Sequence, residues 1–176
     1  MGIADAIGVR RTSDIAIELY DKPLMAADFS RSALENFLRL ERTMNVVVAG
    51  KDAAAVADLP KSLGSLEQAV LDDLAIVVER FPGDAGAGLV ARVQQVVRDY
   101  DAVTAQLGEA LAKSPPDAAA GARLAEERNA RLKAVDEAFD ILIEGAKEQG
   151  LNFREEAESI SDESMFAGVR RHPTVY

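Results

Sequence analysis

The chain has 176 residues, a formal net charge of −10 at pH 7 and 48% hydrophobic residues, which suits one domain with a substantial core. Cysteine is absent and His172 is the one histidine, so disulfides, thiolate nucleophiles, Cys-ligated metals and most histidine chemistry are excluded. The acidic balance argues against nucleic acid and anionic lipid as partners. No apolar run approaches the ~20 residues that a membrane-spanning helix needs.

The first predicted helix runs from about Val9 to Ala49 and ends at Gly50, a natural C-terminal cap residue. Pro23 lies inside this segment, and its ring removes an N–H and clashes with the carbonyl four residues earlier. Two alternatives remain: a helix that begins at Pro23, or a continuous helix that is kinked there. Because the upstream segment stays apolar, the sequence favours the continuous helix.

Breaker residues divide the rest of the chain into three more predicted helices. The second starts at Asp52 and ends at Phe81, with Pro60 marking either a kink or the end of a separate short turn. The third runs from about Ala87 to Ala112. Asp117 then caps the fourth, which runs to about Gln149 and meets Gly150; residues 152–160 would extend it, and residues 161–176 are predicted to be a flexible or frayed tail.

Apolar residues recur at spacings of three and four in all four segments, which predicts one buried stripe per helix and knobs-into-holes packing. Short breaker loops then predict an all-α fold, an antiparallel up-down-up-down four-helix bundle over residues 1–160 with long first and fourth helices. Both chain ends leave at the same end of such a bundle. The predicted stripes are Ala33, Phe37, Leu40, Met44 and Val47; Leu63, Glu67, Val70, Leu74, Val77 and Phe81; Leu89, Val93, Val96, Tyr100, Val103, Leu107 and Ala110; and Leu132, Val135, Phe139, Leu142 and Ala146.

Several segments resemble a known sensory module. Three helices of one family have similar segments in this chain. The first helix corresponds to YDKPLMA at 20–26 and FSRSA at 29–33, the second to DDLAIVVER at 72–80, and the fourth to FDILIE at 139–144. That family is the four-helix-bundle sensory domain of bacterial methyl-accepting chemotaxis receptors and related membrane-bound kinases and cyclases. The resemblance covers about residues 14–156, and its first-helix motif is the most specific part.

The resemblance implies a non-enzymatic, extracytoplasmic ligand-sensing domain. As part of a periplasmic inner-membrane receptor, it is expected to form a homodimer, bind a small molecule, with acidic molecules among the candidates, and relay a helix displacement. The membrane would be reached only through flanking segments outside this chain. The alternative is a helical-bundle adaptor or structural protein that binds a protein partner, and that is cytoplasmic if the chain is the complete protein. Neither hypothesis requires a cofactor or metal.

Arg31, Arg39 and Arg42 fall on one face of the first helix together with Glu35. The simple interpretation is a solvated face with a Glu35–Arg39 pair at i,i+4. The functional interpretation is a basic stripe facing a dimer partner or an acidic ligand, since the planar guanidinium binds carboxylates with two parallel hydrogen bonds. The resemblance supports the second interpretation, because related domains bind acidic ligands with first-helix arginines.

Two tyrosines complete the candidate ligand-binding residues. Tyr100 lies in the third apolar stripe, where core packing is favoured over ligand contact. Tyr20 belongs to the first-helix motif, and both roles stay open for it. Thr104 and Asn129 are expected to be exposed to solvent. The ligand is expected between helices, in the half of the bundle distant from the chain ends.

Overall fold

The computed structural model describes the backbone of residues 3–48, 53–81, 84–112 and 117–169, and the side chains of residues 22–46, 61, 64–81, 84–110, 117–152 and 155. Within these ranges the chain forms four helices and no strand. They pack as a four-helix bundle, which confirms the predicted fold class. The helices are α1 (Ile3–Val48), α2 (Ala53–Arg80), α3 (Asp84–Ala112) and α4 (Ala118–Val169).

The two prolines inside predicted helices do not interrupt them. Helix α1 is continuous through Pro23, as the sequence favours. Helix α2 is continuous across Pro60, so the alternative of a separate short turn is wrong. Asp117 caps α4 as predicted, because its Oδ1 accepts a hydrogen bond from the backbone N–H of Ala120 at 3.0 Å. The proposed caps Gly50 and Asp52 lie outside the described residues.

Helix α4 does not end near Gln149 but continues to Val169. Glycine inside a helix costs only about 1 kcal/mol relative to alanine, and Gly150 has a packing role. A Cβ atom at this position would lie 3.3 Å from the Cβ of the buried Pro23, so glycine permits a close approach of α1 and α4. The helix also passes Ser161, where the sequence predicts fraying. The division of the chain at residue 160 and the flexibility of the tail stay predictions.

Most residues of the predicted apolar stripes form the core. Met44, Leu89, Val96 and Leu132 are partly buried and Glu67 is exposed, whereas the side chains of Val47 and Leu63 lie outside the described residues. At its centre the rings of Phe37 and Tyr100 meet edge to face with centroids 5.3 Å apart, and Phe37 also lies 6.3 Å from Phe139. These three aromatic side chains come from α1, α3 and α4 and are fully buried. Aliphatic residues of the stripes pack around them, including Leu74, Val77, Val93, Val135 and Leu142.

Helices α1 and α4 run in opposite directions. Pro23 faces Gly150, whereas Glu41 contacts Arg128. Residues later in α1 therefore contact residues earlier in α4. The same reversal holds for α3 and α4, where the paired positions are Thr104 with Arg128 and Leu89 with Gly145. The up-down-up-down order of all four helices stays a prediction.

Helices α1 and α4 extend beyond α2 and α3 at one end of the bundle. Phe81, just after α2, lies beside Gly145 of α4, so the end of α2 is near that level. From there α1 continues back to Ile3 and α4 continues on to Val169. At ~1.5 Å per residue, the parts beyond Pro23 and Gly150 each measure about 30 Å. None of the described helices is both long and apolar enough to cross a membrane.

Of the neighbouring helix pairs, α2 and α3 make the sparsest contact. Helix α2 is held mainly by α1, through apolar packing and a hydrogen bond of 2.9 Å from the Asn36 side-chain amide to the Asp73 carboxylate. Between α2 and α3 a crevice of about 60 Å³ remains, with Phe37 and Leu40 of α1 among its lining residues. One side of the bundle is therefore less tightly closed than the others.

The helical glycines give a direct test of this packing. Gly108 has open space where a Cβ would stand, so Gly108→Ala should stabilise the protein by about 0.5–1 kcal/mol. A Cβ at Gly86 would overlap the Phe81 ring, so Gly86→Ala should destabilise the protein by about 1–3 kcal/mol. Urea unfolding of both variants measures the two changes. Equal effects would contradict the packing described at the α2–α3 connection.

Candidate functional site

A cavity of about 300 Å³ opens between α1 and α4, next to the point where these helices leave the four-helix part of the bundle. Pro23 and Gly150, which approach each other closely, are among its lining residues, and Ala27 and Ala146 contribute small side chains. Pockets of this size are at the lower end of those that hold small molecules. The lining residues are Pro23, Leu24, Ala27 and Arg31 of α1, and Ala146, Lys147, Gly150 and Leu151 of α4.

Two cations border the otherwise apolar cavity, one from each helix. The guanidinium of Arg31 pairs with Asp28 at 2.9 Å, and the ammonium of Lys147 pairs with Glu144. Arg31 and Lys147 are 49% and 41% exposed, and both pairs join residues three apart on one helix. Exposed pairs of this kind contribute about 0–1 kcal/mol, so both cations remain available to an anion in the cavity.

Within this chain, only one of the three candidate arginines borders the cavity. Arg31 borders the cavity, but Arg39 is 60% exposed and makes the predicted pair with Glu35, at 3.9 Å. Arg42 is also exposed, and its Nε donates a hydrogen bond to the carbonyl of Leu38 at 3.0 Å. Arg39 lies two helical turns beyond Arg31, about 12 Å along α1. The solvated-face interpretation therefore fits Arg39 and Arg42 within this chain.

Tyr100 is a core residue, as the sequence favours, whereas the side chain of Tyr20 lies outside the described residues. The Tyr100 hydroxyl accepts a hydrogen bond from Nη2 of Arg128, whose guanidinium also lies 5.0 Å from the centre of the tyrosine ring. Such a cation–π contact is strongest where water is excluded. Tyr100 is thus occupied by packing and by Arg128 rather than facing a cavity.

Arg128 is the residue that sequence reasoning missed. Its side chain is 9% exposed and bridges three helices. Its Nη2 contacts Oε1 of Glu41 on α1 at 3.3 Å, and its Nε donates to the hydroxyl of Thr104 on α3 at 3.2 Å. The Glu41 side chain is 13% exposed, so the ion pair is largely removed from water. A signal was present, because Arg128 lies midway between Leu124 and Leu132 at spacings of four on the core stripe.

The polar cluster around Arg128 alters the titration of its neighbours. Burial raises the pKa of the Tyr100 hydroxyl, and the positive charge of Arg128 opposes that rise. Partial burial raises the pKa of Asp136, with further rises from the carboxylates of Asp140 and Glu41.

Thr104 is 4% exposed and donates a hydrogen bond to the Tyr100 carbonyl at 2.8 Å, so its predicted exposure is wrong. Asn129 is exposed as predicted.

Two carboxylates, Glu67 and Asp101, line the crevice between α2 and α3. Burial, and secondly the nearby charge of Glu67, raise the pKa of Asp101 to about 6. Glu67 occupies a stripe position that an apolar residue would otherwise fill, but it is exposed. The pair helps to explain why α2 and α3 pack sparsely, since burying both charges would be costly.

The described residues hold no group of three or more His, Cys, Asp or Glu side chains arranged to bind a metal ion. Comparison with family models, curated proteins and solved structures finds no match to this chain. The resemblance to the chemoreceptor sensory domain therefore stays a prediction. The geometry itself offers a small-molecule cavity between α1 and α4 and, farther along the same pair of helices, a buried ion pair.

The buried ion pair predicts a large stability difference between two neighbouring arginines. Arg128→Met leaves Glu41 largely buried without its cation, and should lower the free energy of unfolding at pH 7 by about 3 kcal/mol. Arg131→Met is the matched control: its side chain is 44% exposed and pairs with Glu127 and with Asp99 of α3, so a change below about 1 kcal/mol is expected. Urea unfolding measures both, and similar losses would contradict the buried pair. Adding Glu41→Leu to Arg128→Met should recover part of the loss.

Asp101 predicts a pH dependence of stability. Its pKa of about 6 in the folded protein exceeds the value of 3.8 expected for the unfolded chain, so folding takes up a proton between these pH values. Stability from this group is therefore present below about pH 4 and is lost as the pH rises through about 6. Asp101→Asn should gain about 1 kcal/mol over the wild type at pH 7, allowing for solvent screening, and nothing at pH 4. Urea unfolding at several pH values from 4 to 7 tests this difference. Glu67→Gln removes a nearby negative charge, so it should lower the pKa of Asp101 and narrow the pH range over which stability is lost.

Proposed function

We propose that the chain is a non-enzymatic ligand-sensing domain of a transmembrane receptor, with its bundle on the extracytoplasmic, periplasmic side. The observation that carries the proposal is the cavity between α1 and α4, beside the level at which these two helices continue past α2 and α3. A small molecule in this cavity touches both helices that lead toward the chain ends. Binding and output therefore share one pair of helices.

The proposed mechanism is a change in the packing of α1 against α4. A ligand shifts the equilibrium between two packings only by its difference in affinity for them, which is typically 1–3 kcal/mol. Interdigitated helices favour discrete arrangements over continuous deformation. A ligand that fits one arrangement of the cavity better would favour that arrangement, and α1 and α4 would carry the difference to their ends.

Part of the cavity lies in the first-helix segments that resemble the sensory family. Pro23, Leu24 and Arg31, which line the cavity, all belong to the segments that are similar to the sensory family. The cavity lies in the half of the bundle near the chain ends, whereas the sequence places the ligand in the distant half. A homodimer is part of the proposal, and so are flanking segments that reach the membrane.

A second candidate function rests on a different surface. Helix α2 exposes Leu71 and Val78, at 43% and 44% exposure, seven residues apart and with the exposed Ala75 between them. Spacings of four and three place these residues on one helical face. An adaptor bundle that binds a protein partner would use such a face, so this candidate replaces the sensor if no ligand is found.

The sensor proposal is tested by a ligand screen joined to a distance measurement. Thermal shift against organic acids, amino acids, aromatic acids and inorganic anions should give a saturable rise in Tm for one class; a ligand at 100 times its Kd adds about 2.7 kcal/mol. Because the sequence has no cysteine, Glu35→Cys on α1 and Glu148→Cys on α4 provide unique spin-label sites. Both positions are exposed and lie outside the cavity lining. Ligand should change the distance between these labels.

Labels at Lys133→Cys and Asp140→Cys, both on α4, provide the control distance, which should stay constant. A binder that leaves the α1–α4 distance unchanged would contradict the relay. A flat screen at a protein concentration that populates any dimer would contradict ligand sensing and favour the adaptor.

A further inference from the structure

We propose that the α1–α4 cavity binds an unbranched aliphatic carboxylate, with its alkyl chain against the apolar wall and its carboxylate between Arg31 and Lys147. The inference rests on the proposed function for the use of the site and names the class of ligand. Three features of the cavity support this ligand class: its apolar wall, its size and the position of its charges.

The wall of the cavity is apolar on both helices. Pro23, Leu24 and Ala27 contribute from α1, and Ala146 and Leu151 contribute from α4. Leu24 and Leu151 are 52% and 60% exposed, although both border a concave surface. Covering exposed apolar surface is favourable at about 25 cal/mol per Å², so a molecule that shields both leucines gains affinity from them. That molecule needs an apolar body.

The size of the cavity suits a flexible chain of moderate length. A volume of about 300 Å³ is at the lower end of the range for small-molecule sites. An alkyl chain of about six to eight carbons with a carboxylate is a ligand of that modest size. Ala27, Ala146 and Gly150 have small side chains or none, so room for an unbranched alkyl chain remains between the two helices.

The charges select an anion. Arg31 and Lys147 come from different helices and line the same cavity, so a carboxylate bound there lies near two cations. The net charge of −10 repels anions at long range, and the local cations must supply the attraction. Asp28 and Glu144 already pair with these two cations and so compete with a ligand for them. Their side chains are 72% and 71% exposed, so both ion pairs lie in water. A carboxylate with an apolar tail adds burial to the ionic contact and displaces such weak exposed pairs.

The test is calorimetric titration of the wild-type chain with octanoate, below its micelle concentration, at low ionic strength. We expect saturable binding with one site per chain. Affinity should rise about two- to fourfold per methylene from butyrate to octanoate, because each added methylene is buried. Octylamine, with the same chain and the opposite charge, should bind at least about tenfold more weakly.

Charge variants separate this site from general surface binding. Arg31→Gln and Lys147→Gln should each weaken octanoate binding about three- to tenfold, whereas the matched exposed residues Arg39→Gln and Lys133→Gln should leave it unchanged. Asp28→Asn frees Arg31 from its competing carboxylate and should strengthen binding about two- to threefold. These residues are all exposed, so the variants should fold, which melting curves verify. Leu24→Ser should flatten the dependence on chain length.

The inference is overturned by no octanoate binding, by equal binding of octylamine, or by equal losses in Arg31→Gln and Arg39→Gln. Binding only to vesicles of anionic phospholipid, without octanoate binding in solution, would also overturn it and assign the groove to a membrane surface. Failure of the sensor proposal is distinguishable. If octanoate binds but the α1–α4 label distance stays constant, the ligand class holds and the relay fails. If another compound binds and changes that distance, the relay holds and the ligand class fails.

Discussion

Arg128 and Glu41 meet inside the bundle, and their ion pair fixes how α1 lies against α4. A slip of one helical turn, about 5.4 Å, would separate the two charges while both stay away from water. The cost of an unpaired buried charge is several kcal/mol, which is more than most single apolar contacts contribute. The contacts of Phe37 with Phe139, and of Pro23 with Gly150, occur in the same register. Hence the position of the cavity depends on a charge pair that lies well away from it.

The seam between α1 and α4 changes character along its length. Near Arg128 the contact between the helices is polar, and the guanidinium is hydrogen-bonded to Glu41. Around Phe37 and Phe139 the contact is made by packed aromatic rings. Toward the chain ends the seam includes the small residues Ala27, Ala146 and Gly150, and the Pro23 side chain approaches Gly150 closely. Small side chains leave space beside this contact. The cavity is thus a consequence of the same residues that let the two helices pack tightly.

Features that repeat along the sequence could be predicted, whereas contacts between distant residues could not. The four helices and their stripes follow from apolar spacing, which is repeated over many residues and tolerates single exceptions such as Glu67. The end of α4 was misplaced because Gly150 resembles a C-terminal cap when its partner, Pro23, is 127 positions away in the sequence. Arg128 was missed because a charged residue on a core stripe reads as a break, unless Glu41 and Thr104 are known to face it. Pairings between distant segments leave no periodic trace in a single sequence.

The ion pair and the cavity together limit what motion a ligand can produce. With α1 and α4 held in register at Arg128, sliding by a full turn is disfavoured, and a tilt about this point is the less costly change. Lys147 lies about 28 Å along α4 from Arg128, and Val169 lies about 60 Å from it. A tilt that moves the helix by a given amount at the cavity therefore moves its end by about twice as much. The sparse contact between α2 and α3 favours this motion, because those two helices do little to clamp each other as the outer pair separates.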